Sequence, residues 1–296
     1  MRARLLRKIF FALVVLISAA AGALYYLSDR ELRRTYSVPA DSIPVSNDPA
    51  AILRGAHLFK TTTCSHCHAE DGGGALYADL GLVGLIAGPN LTRGRGGVGG
   101  SRTDQDFVRA IRYGLRQDGT SLIVMPSEVF THLTDADLGS VIAYIRQLPP
   151  VDRELPATRF GPMGRVLLAT GRMNILVAPK TRHDAGAPVP SGDSAVAIGK
   201  YLADISGCHG CHGYGLSGGR VAGPSDLPPA SNLTPAGLGQ WTAADFVRVM
   251  REGRRPDGSA INEFMPWRAF AAMSDTELHA LWMYLRSVPP RPFGNK

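Results

Sequence analysis

All four cysteines of this 296-residue chain fall in two copies of one pattern, Cys64-Ser65-His66-Cys67-His68 and Cys208-His209-Gly210-Cys211-His212. On a helical turn, residues three and four apart face the same way, so the two thiols and the following imidazole of each copy project from one side. Two thiols can form thioether bonds to the vinyl groups of a haem while the imidazole binds its iron, which is the attachment chemistry of a c-type haem. The same residue types have other uses: two Cys-x-x-Cys pairs can make a zinc site, and each alone can be a redox dithiol or a disulfide. Zinc does not require a His directly after both second cysteines. A redox dithiol expects alternating strands and helices, a pattern this sequence lacks. The spacing therefore predicts two covalently attached haem c groups, with His68 and His212 as iron ligands. His66 and His209 lie inside the turn, pointing away from the iron, and are expected to face solvent or local hydrogen-bond partners.

A haem bound by one His has a sixth position that is either filled or open, and that difference separates an electron carrier from a catalyst. Of the eight methionines, only Met125 and Met265 recur at matching positions, and each is followed by Pro. They lie 57 and 53 residues after His68 and His212. They are assigned as the axial thioether ligands; such a ligand raises the iron potential and leaves no vacant site for substrate. His132 is the reserve candidate, without a His at its counterpart. No catalytic residue is assigned.

The elements that must position these residues are written twice. The haem motifs match at an offset of 144 residues, as do Gly55 and Gly199. The offset then falls to 139 or 140 for Asp106-Phe107-Val108-Arg109 and Asp245-Phe246-Val247-Arg248, Met125-Pro126 and Met265-Pro266, and Pro149-Pro150 and Pro289-Pro290. Each copy reads as a few short helices. Asp48-Pro49 is a helix start. Thr103-x-x-Asp106, Thr242-x-x-Asp245, Thr134-x-x-Asp137 and Ser274-x-x-Glu277 approximate capping boxes. The last helix of each copy stops before its Pro-Pro pair. No alternating strand pattern competes, so the predicted fold is all-α: two tandem domains, 48–152 and 191–296, joined by a connector at 153–190. Within the connector, residues 155–182 show an apolar helical face, which fits either packing between the domains or a flexible linker.

Ahead of the domains, Ile9 to Leu27 is uncharged and about as long as a hydrocarbon core is thick when helical. Residues 1–8 then form a basic cytoplasmic tail, 9–28 a transmembrane anchor, and 29–47, with Pro39 and Pro44, an extended spacer holding the domains off the membrane. A cleaved signal ending near Ala21-Gly22-Ala23 is the rival. The net charge of +7 comes largely from scattered arginines, with no basic stripe interleaved with aromatics, so nucleic acid is not an expected partner. Gly94-x-Gly96-x-x-Gly99 matches a dinucleotide fingerprint only literally, since no predicted strand precedes it and no βαβ unit surrounds it. The paired Asn90-Leu91-Thr92 and Asn232-Leu233-Thr234 segments are expected to be structural loops, their Asn side chains bonded to backbone or a propionate.

The motifs, the Gly55-x-x-x-Phe59 and Val141-x-x-Tyr144 helices, and Leu281-x-x-Tyr284 resemble the class I cytochrome c family in tandem form. That family has crossed terminal helices, and the match departs from it where Ala203 replaces the Phe, predicting a differently packed second crossing. The paired Asn-Leu-Thr, Asp-Phe-Val-Arg, Met-Pro and Pro-Pro segments resemble cytochrome c subunits of membrane-bound bacterial dehydrogenases. The resemblance implies single-electron transfer on the periplasmic side of a bacterial inner membrane, from a dehydrogenase partner towards quinone or a terminal oxidase. The rivals are a dihaem cytochrome c peroxidase, which needs one open iron, and a dihaem subunit of a terminal oxidase complex.

Overall fold

A computed structural model of the chain describes residues 2–39, 43–183, 192–221 and 227–294. Helix α1 spans Arg2–Leu32. The Asp48 carboxylate then accepts from the Ala50 amide at 2.9 Å and, with Pro49 in the first turn, starts α2 (Pro49–Thr61), which leads into α3 (Cys64–His68). Thr103 and Asp106 cap each other's backbone to open α4 (Asp104–Tyr113). After the short α5 (Ser127–Phe130), the Thr134 hydroxyl caps α6 (Asp135–Gln147). Helix α7 spans Pro162–Ala169 in the connector. The second copy repeats the plan: α8 (Ala195–Ile205), α9 (Cys208–His212), α10 (Pro235–Leu238), α11 (Ala243–Glu252), α12 (Trp267–Phe270) and α13 (Asp275–Ser287). Capping boxes at Thr242–Asp245 and Ser274–Glu277 open α11 and α13.

The fold is mostly helical, as expected, with one addition. Strands β1 (Ala75–Asp79) and β2 (Gly84–Gly88) form an antiparallel hairpin, and β3 (Arg159–Phe160) from the connector pairs with β2. These strands escaped the sequence reading because they are short, rich in Gly and Ala, and bulged between Leu76 and Ala78, so no two-residue period develops.

In each half the first helix packs across the last, α2 on α6 and α8 on α13. Gly55 and Gly199 make the crossings possible. A β-carbon at Gly55 would lie 1.9 Å from the Ser140 carbonyl oxygen, and one at Gly199 would lie 1.9 Å from that of Ala280. The second crossing is therefore packed like the first, contrary to expectation. Ala203 is small where Phe59 is large, but Trp282 stands where the first half has Ile142 and lies 5.7 Å from the Phe246 ring within the same core. Volume moved to the neighbouring position leaves the backbone approach unchanged.

The halves meet through matched positions. His57 on α2 and Tyr201 on α8 are equivalent in the repeat, as are Asp137 on α6 and Glu277 on α13. His57 Nε2 reaches Glu277 Oε2 at 2.8 Å, and the Tyr201 hydroxyl donates to Asp137 Oδ2 at 2.6 Å. Arg54 donates to both acids, at 2.9 and 3.1 Å. Helix α5 touches α8 and α12 touches α2. Each half thus offers the other the same surface, the self-complementary pattern of a twofold dimer realised inside one chain.

One expectation needs correction, and one of two alternatives falls away. The spacer does not stand free: α1 continues helically to Leu32, the Tyr36 amide bonds to the Gly119 carbonyl at 2.9 Å, Ile43 is buried, and Pro44 lies over Gly139. Its apolar residues cover the solvent face of α6, which an extended tether would leave wet. Nor is the described part of the connector a flexible linker; it supplies β3, packs α7 on α1, and lays residues 175–178 along the loop before Met125. The expected boundary at 190/191 lies outside the described residues.

Candidate haem sites

Helices α3 and α9 start and stop in the same way. The residue before each, Thr63 or Gly207, takes a left-handed conformation (φ 65 and 71), and the residue after each, Ala69 or Gly213, takes φ 61 and 78 with ψ near extended. These turns present five residues as a rigid pedestal. Glycine adopts them freely in the second half, whereas Thr63 and Ala69 hold them under strain in the first.

The imidazoles are fixed alike. His68 Nδ1 lies 2.9 Å from the Pro89 carbonyl oxygen, and His212 Nδ1 lies 2.7 Å from that of Ser231. A carbonyl can only accept, so the proton sits on Nδ1 and Nε2 is left with a lone pair for a metal. Burial holds both imidazoles below the ordinary histidine range, against the pull of the carbonyl, and so keeps them neutral.

The two carbonyl partners were not foreseen, although a signal existed: each directly precedes an Asn-Leu-Thr segment. These segments are structural loops, as expected. Asn90 Oδ1 accepts from the Thr92 amide and hydroxyl at 2.9 and 2.8 Å, and Asn90 Nδ2 donates to the Val151 carbonyl at 2.7 Å. Asn232 repeats this with Thr234 and the Arg291 carbonyl. The Asn of each copy thereby ties the histidine's carbonyl partner to the chain just after the Pro-Pro pair.

No disulfide joins any of the four cysteines. Burial pushes Cys64 up to about 11 and Cys208 up to about 12, the reverse of the lowered value that activates a redox dithiol. Among the described residues no group of three or more His, Cys, Asp or Glu side chains is placed to hold a metal ion. What remains is a donor set of two thiols and one Nε2 lone pair on a single turn, the set that covalent haem attachment requires. The pedestal is also packed to its backbone: a β-carbon at Gly88 would lie 2.0 Å from the Cys67 carbonyl oxygen.

Met125 and Met265 sit in equivalent loops, between α4 and α5 and between α11 and α12. Both are half-buried and pack, with Cys64 and Cys208, against the core. Pro126 and Pro266 have near-equal backbone angles (φ −82, ψ 57 and φ −79, ψ 48), and the amides two residues after each Met, Ser127 and Trp267, bond to the Met carbonyls at 2.9 and 2.8 Å. The remaining histidines have other settings. His66 is exposed beside Tyr77, while His209 Nε2 pairs with Asp204 at 3.2 Å. His132 lies at the junction of the halves, within electrostatic reach of Asp204, Lys200 and His209.

Comparison with known proteins gives the same picture. The chain is 28% identical over 275 residues to the cytochrome c subunit of an alcohol dehydrogenase (quinone) from Gluconacetobacter polyoxogenes, a match covering 83% of this chain and 57% of that one. It is 26% identical to the cytochrome subunit of a fructose dehydrogenase from Gluconobacter japonicus, covering 86% and 56%. To a diheme cytochrome c-type protein of Cereibacter sphaeroides it is 27% identical, covering 83% and 91%. The chain thus spans a little over half the length of the dehydrogenase subunits and nearly all of the diheme cytochrome. The cytochrome c family matches at residues 52–149 and again at 196–289, each match containing one pedestal, one anchored histidine and one Met-Pro loop. With both halves matched in this way, the chain belongs to the cytochrome c family, whose members carry covalently bound haem c and transfer electrons.

Proposed function

We propose that the chain is a membrane-tethered dihaem electron carrier that takes electrons from a dehydrogenase and passes them towards quinone or a terminal oxidase on the periplasmic side of a bacterial inner membrane. The observation that carries this reading is the duplication of a complete site: pedestal, carbonyl-anchored histidine and Met-Pro loop occur twice, in halves locked together by matched contacts. In this reading Cys64 and Cys67, and Cys208 and Cys211, bind the two porphyrins, with His68 and Met125 holding one iron and His212 and Met265 the other. When bound, haem supplies a reversible one-electron change at iron. The chain does the rest: the Pro89 and Ser231 carbonyls hold Nδ1 protonated and the rings oriented, and the interface fixes the separation of the two sites.

The relatives include cytochrome subunits of alcohol, fructose and gluconate dehydrogenases, which supports a dehydrogenase as donor. Helix α1 supports the tether: it is long and apolar enough to cross a bilayer, and its most apolar window is unburied among the described residues. Arg4, Arg7 and Lys8 ahead of the apolar run support a cytoplasmic amino terminus, and with it haem sites on the periplasmic side. The test is to purify the tagged full chain from membranes with its native partners and add candidate sugar, alcohol and acid substrates. Haem reduction by one substrate, with the matching dehydrogenase in the complex, is the expected result. Turnover of hydrogen peroxide by the isolated chain, with no reduction through any dehydrogenase, would contradict it and favour a peroxidase.

A further inference from the structure

The β1–β2 hairpin is not exhausted by its contacts with the first pedestal. Its near end is packed there, Gly88 against Cys67 and Tyr77 beside His66. Its far end, Leu80 to Val83, projects and is joined to the start of α7: the Met163 amide bonds to the Leu82 carbonyl at 3.0 Å, the Gly161 amide bonds to the Val83 carbonyl at 2.9 Å, and a β-carbon at Gly164 would lie 2.0 Å from the Val83 oxygen. Helix α7 is in turn packed on the last turns of α1. Arg165 makes that joint, stacked 4.2 Å over the Tyr25 ring, 3.2 Å from the Ser28 hydroxyl and 3.7 Å from the Asp29 carboxylate.

This unit carries apolar side chains pointing at solvent: Leu80 is 52% exposed, Leu82 72% and Met163 48%. Tyr25, which lies under the Arg165 guanidinium of α7, and its neighbour Tyr26 are exposed by 58% and 67% where the uncharged run from Ile9 to Leu27 ends. Tyrosine pairs at the end of an apolar helix belong at the headgroup level of a bilayer. A patch held rigidly against those tyrosines cannot be far from that level. Asp79, the acid of the hairpin tip, is turned back to accept from the Gly81 amide at 3.1 Å, and the exposed Arg159 and Arg172 flank the unit with charges suited to phosphate headgroups.

We infer that the hairpin tip and α7 form a second membrane contact, lying in the headgroup and upper acyl region of the same leaflet in which α1 ends. The occupant of this apolar face is lipid, because the face is continuous with the apolar surface of α1 and fixed to it by Arg165. The consequence is orientational. With α1 alone the domains would swivel on a helix; with the tip seated, the first half lies on the bilayer and its pedestal becomes the membrane-side one, one hairpin length above the lipid. The inference rests on α1 being a retained anchor.

The test uses the full chain with its haems in lipid nanodiscs, with the photoreactive residue p-benzoylphenylalanine introduced in place of Leu82, Met163, Leu16 or Phe264, one position at a time. Leu16 lies in the apolar run of α1, and Phe264 is an exposed apolar residue of the second half. Illumination followed by mass spectrometry should find lipid adducts at Leu82, Met163 and Leu16, and none at Phe264. Adducts at Leu16 but not at Leu82 or Met163 would overturn the second contact while leaving the anchor. Absence of adducts at all four positions would overturn both. Crosslinks from Leu82 to a second copy of the chain or to another protein would mean that protein, not lipid, covers the patch.

Discussion

The loops that carry Met125 and Met265 are built on the same frame and braced from different directions. In the first half the Leu122 amide bonds to the Gly114 carbonyl, and in the second the Ile261 amide bonds to the Gly253 carbonyl, both at 2.7 Å. The space against each glycine is then filled differently. Val177 from the connector occupies it in the first half, with a γ-carbon 2.3 Å from where a Gly114 β-carbon would be; Trp267, the residue two after Met265, occupies it in the second, with a ring carbon 2.5 Å from where a Gly253 β-carbon would be. The connector adds more to the first loop: the Val124 amide bonds to the Ile175 carbonyl, the Val177 amide to the Leu122 carbonyl, and the Ser121 hydroxyl accepts from the Val177 and Ala178 amides at 2.9 Å. Residues 122–124 are half-buried as a result, whereas residues 262–264 are exposed. Duplication preserved the placement of the two methionines and let the cover diverge. A covered site of low dielectric favours the less charged, reduced iron, so with a haem bound in each half as proposed, the first is expected at the higher potential of the two.

The comparison breaks most sharply at the helix crossings, where the halves should behave alike. Gly55→Ala and Gly199→Ala each drive a methyl group into a backbone carbonyl, and each is expected to cost about 3 kcal/mol or more, the upper end for an overpacked core. Thermal unfolding of the holoprotein reads this. A large loss at one position and none at the other would mean that only one crossing is as close as it looks.

The loops should differ. Trp267→Ala removes a large ring from a site that no connector segment braces among the described residues, at a cost of about 3 kcal/mol, whereas Val177→Ala trims two methyl groups from a loop still held by Ser121 and costs about 1–2 kcal/mol. Following the Met-to-iron absorption during heating sharpens the contrast: Trp267→Ala should release the Met265 signal first, and Val177→Ala should weaken only the Met125 signal. Equal effects on both signals would show that the braces are not local.

The smallest expected effect concerns the matched interface. Burial alone would raise the Glu277 carboxyl, but the His57 hydrogen bond, the Ser274 amide and the charges of His57 and Arg54 bring it down to about 2 from its ordinary 4.5. A carboxyl depressed in the folded state contributes stability that is complete above pH 4.5 and is lost as the pH falls from 4.5 towards 2. Glu277→Gln, which keeps the helix cap, should flatten that part of the acid unfolding curve. An unchanged curve would place the acid sensitivity elsewhere.

The sequence alone made much of this legible because the chemistry is local. A Cys-x-x-Cys-His turn, a capping box and a Pro-Pro stop each span five residues or fewer, and their repetition at constant offset exposed the internal symmetry. The Asn-Leu-Thr loops were readable for the same reason. What stayed hidden depends on residues distant in sequence: the Pro89 carbonyl opposite His68, Val177 against Gly114, and His57 reaching Glu277 across 220 residues. No single-sequence pattern announces such pairs. The hairpin shows no period because its strands are short and bulged and bury only Gly84, Leu85 and Gly88, and the spacer shows none because Ile43 and Val45 are too few to form one.

The central claim, two irons each held between an imidazole and a thioether, is tested most directly by intact mass and ferric absorption of the purified chain beside its Met125→Ala and Met265→Ala variants. Two covalent haems should be present in all three proteins, and each variant should lose one share of the Met-to-iron absorption while a high-spin signal appears. Fewer than two haems on the parent chain, or a variant whose spectrum matches the parent, would contradict the account.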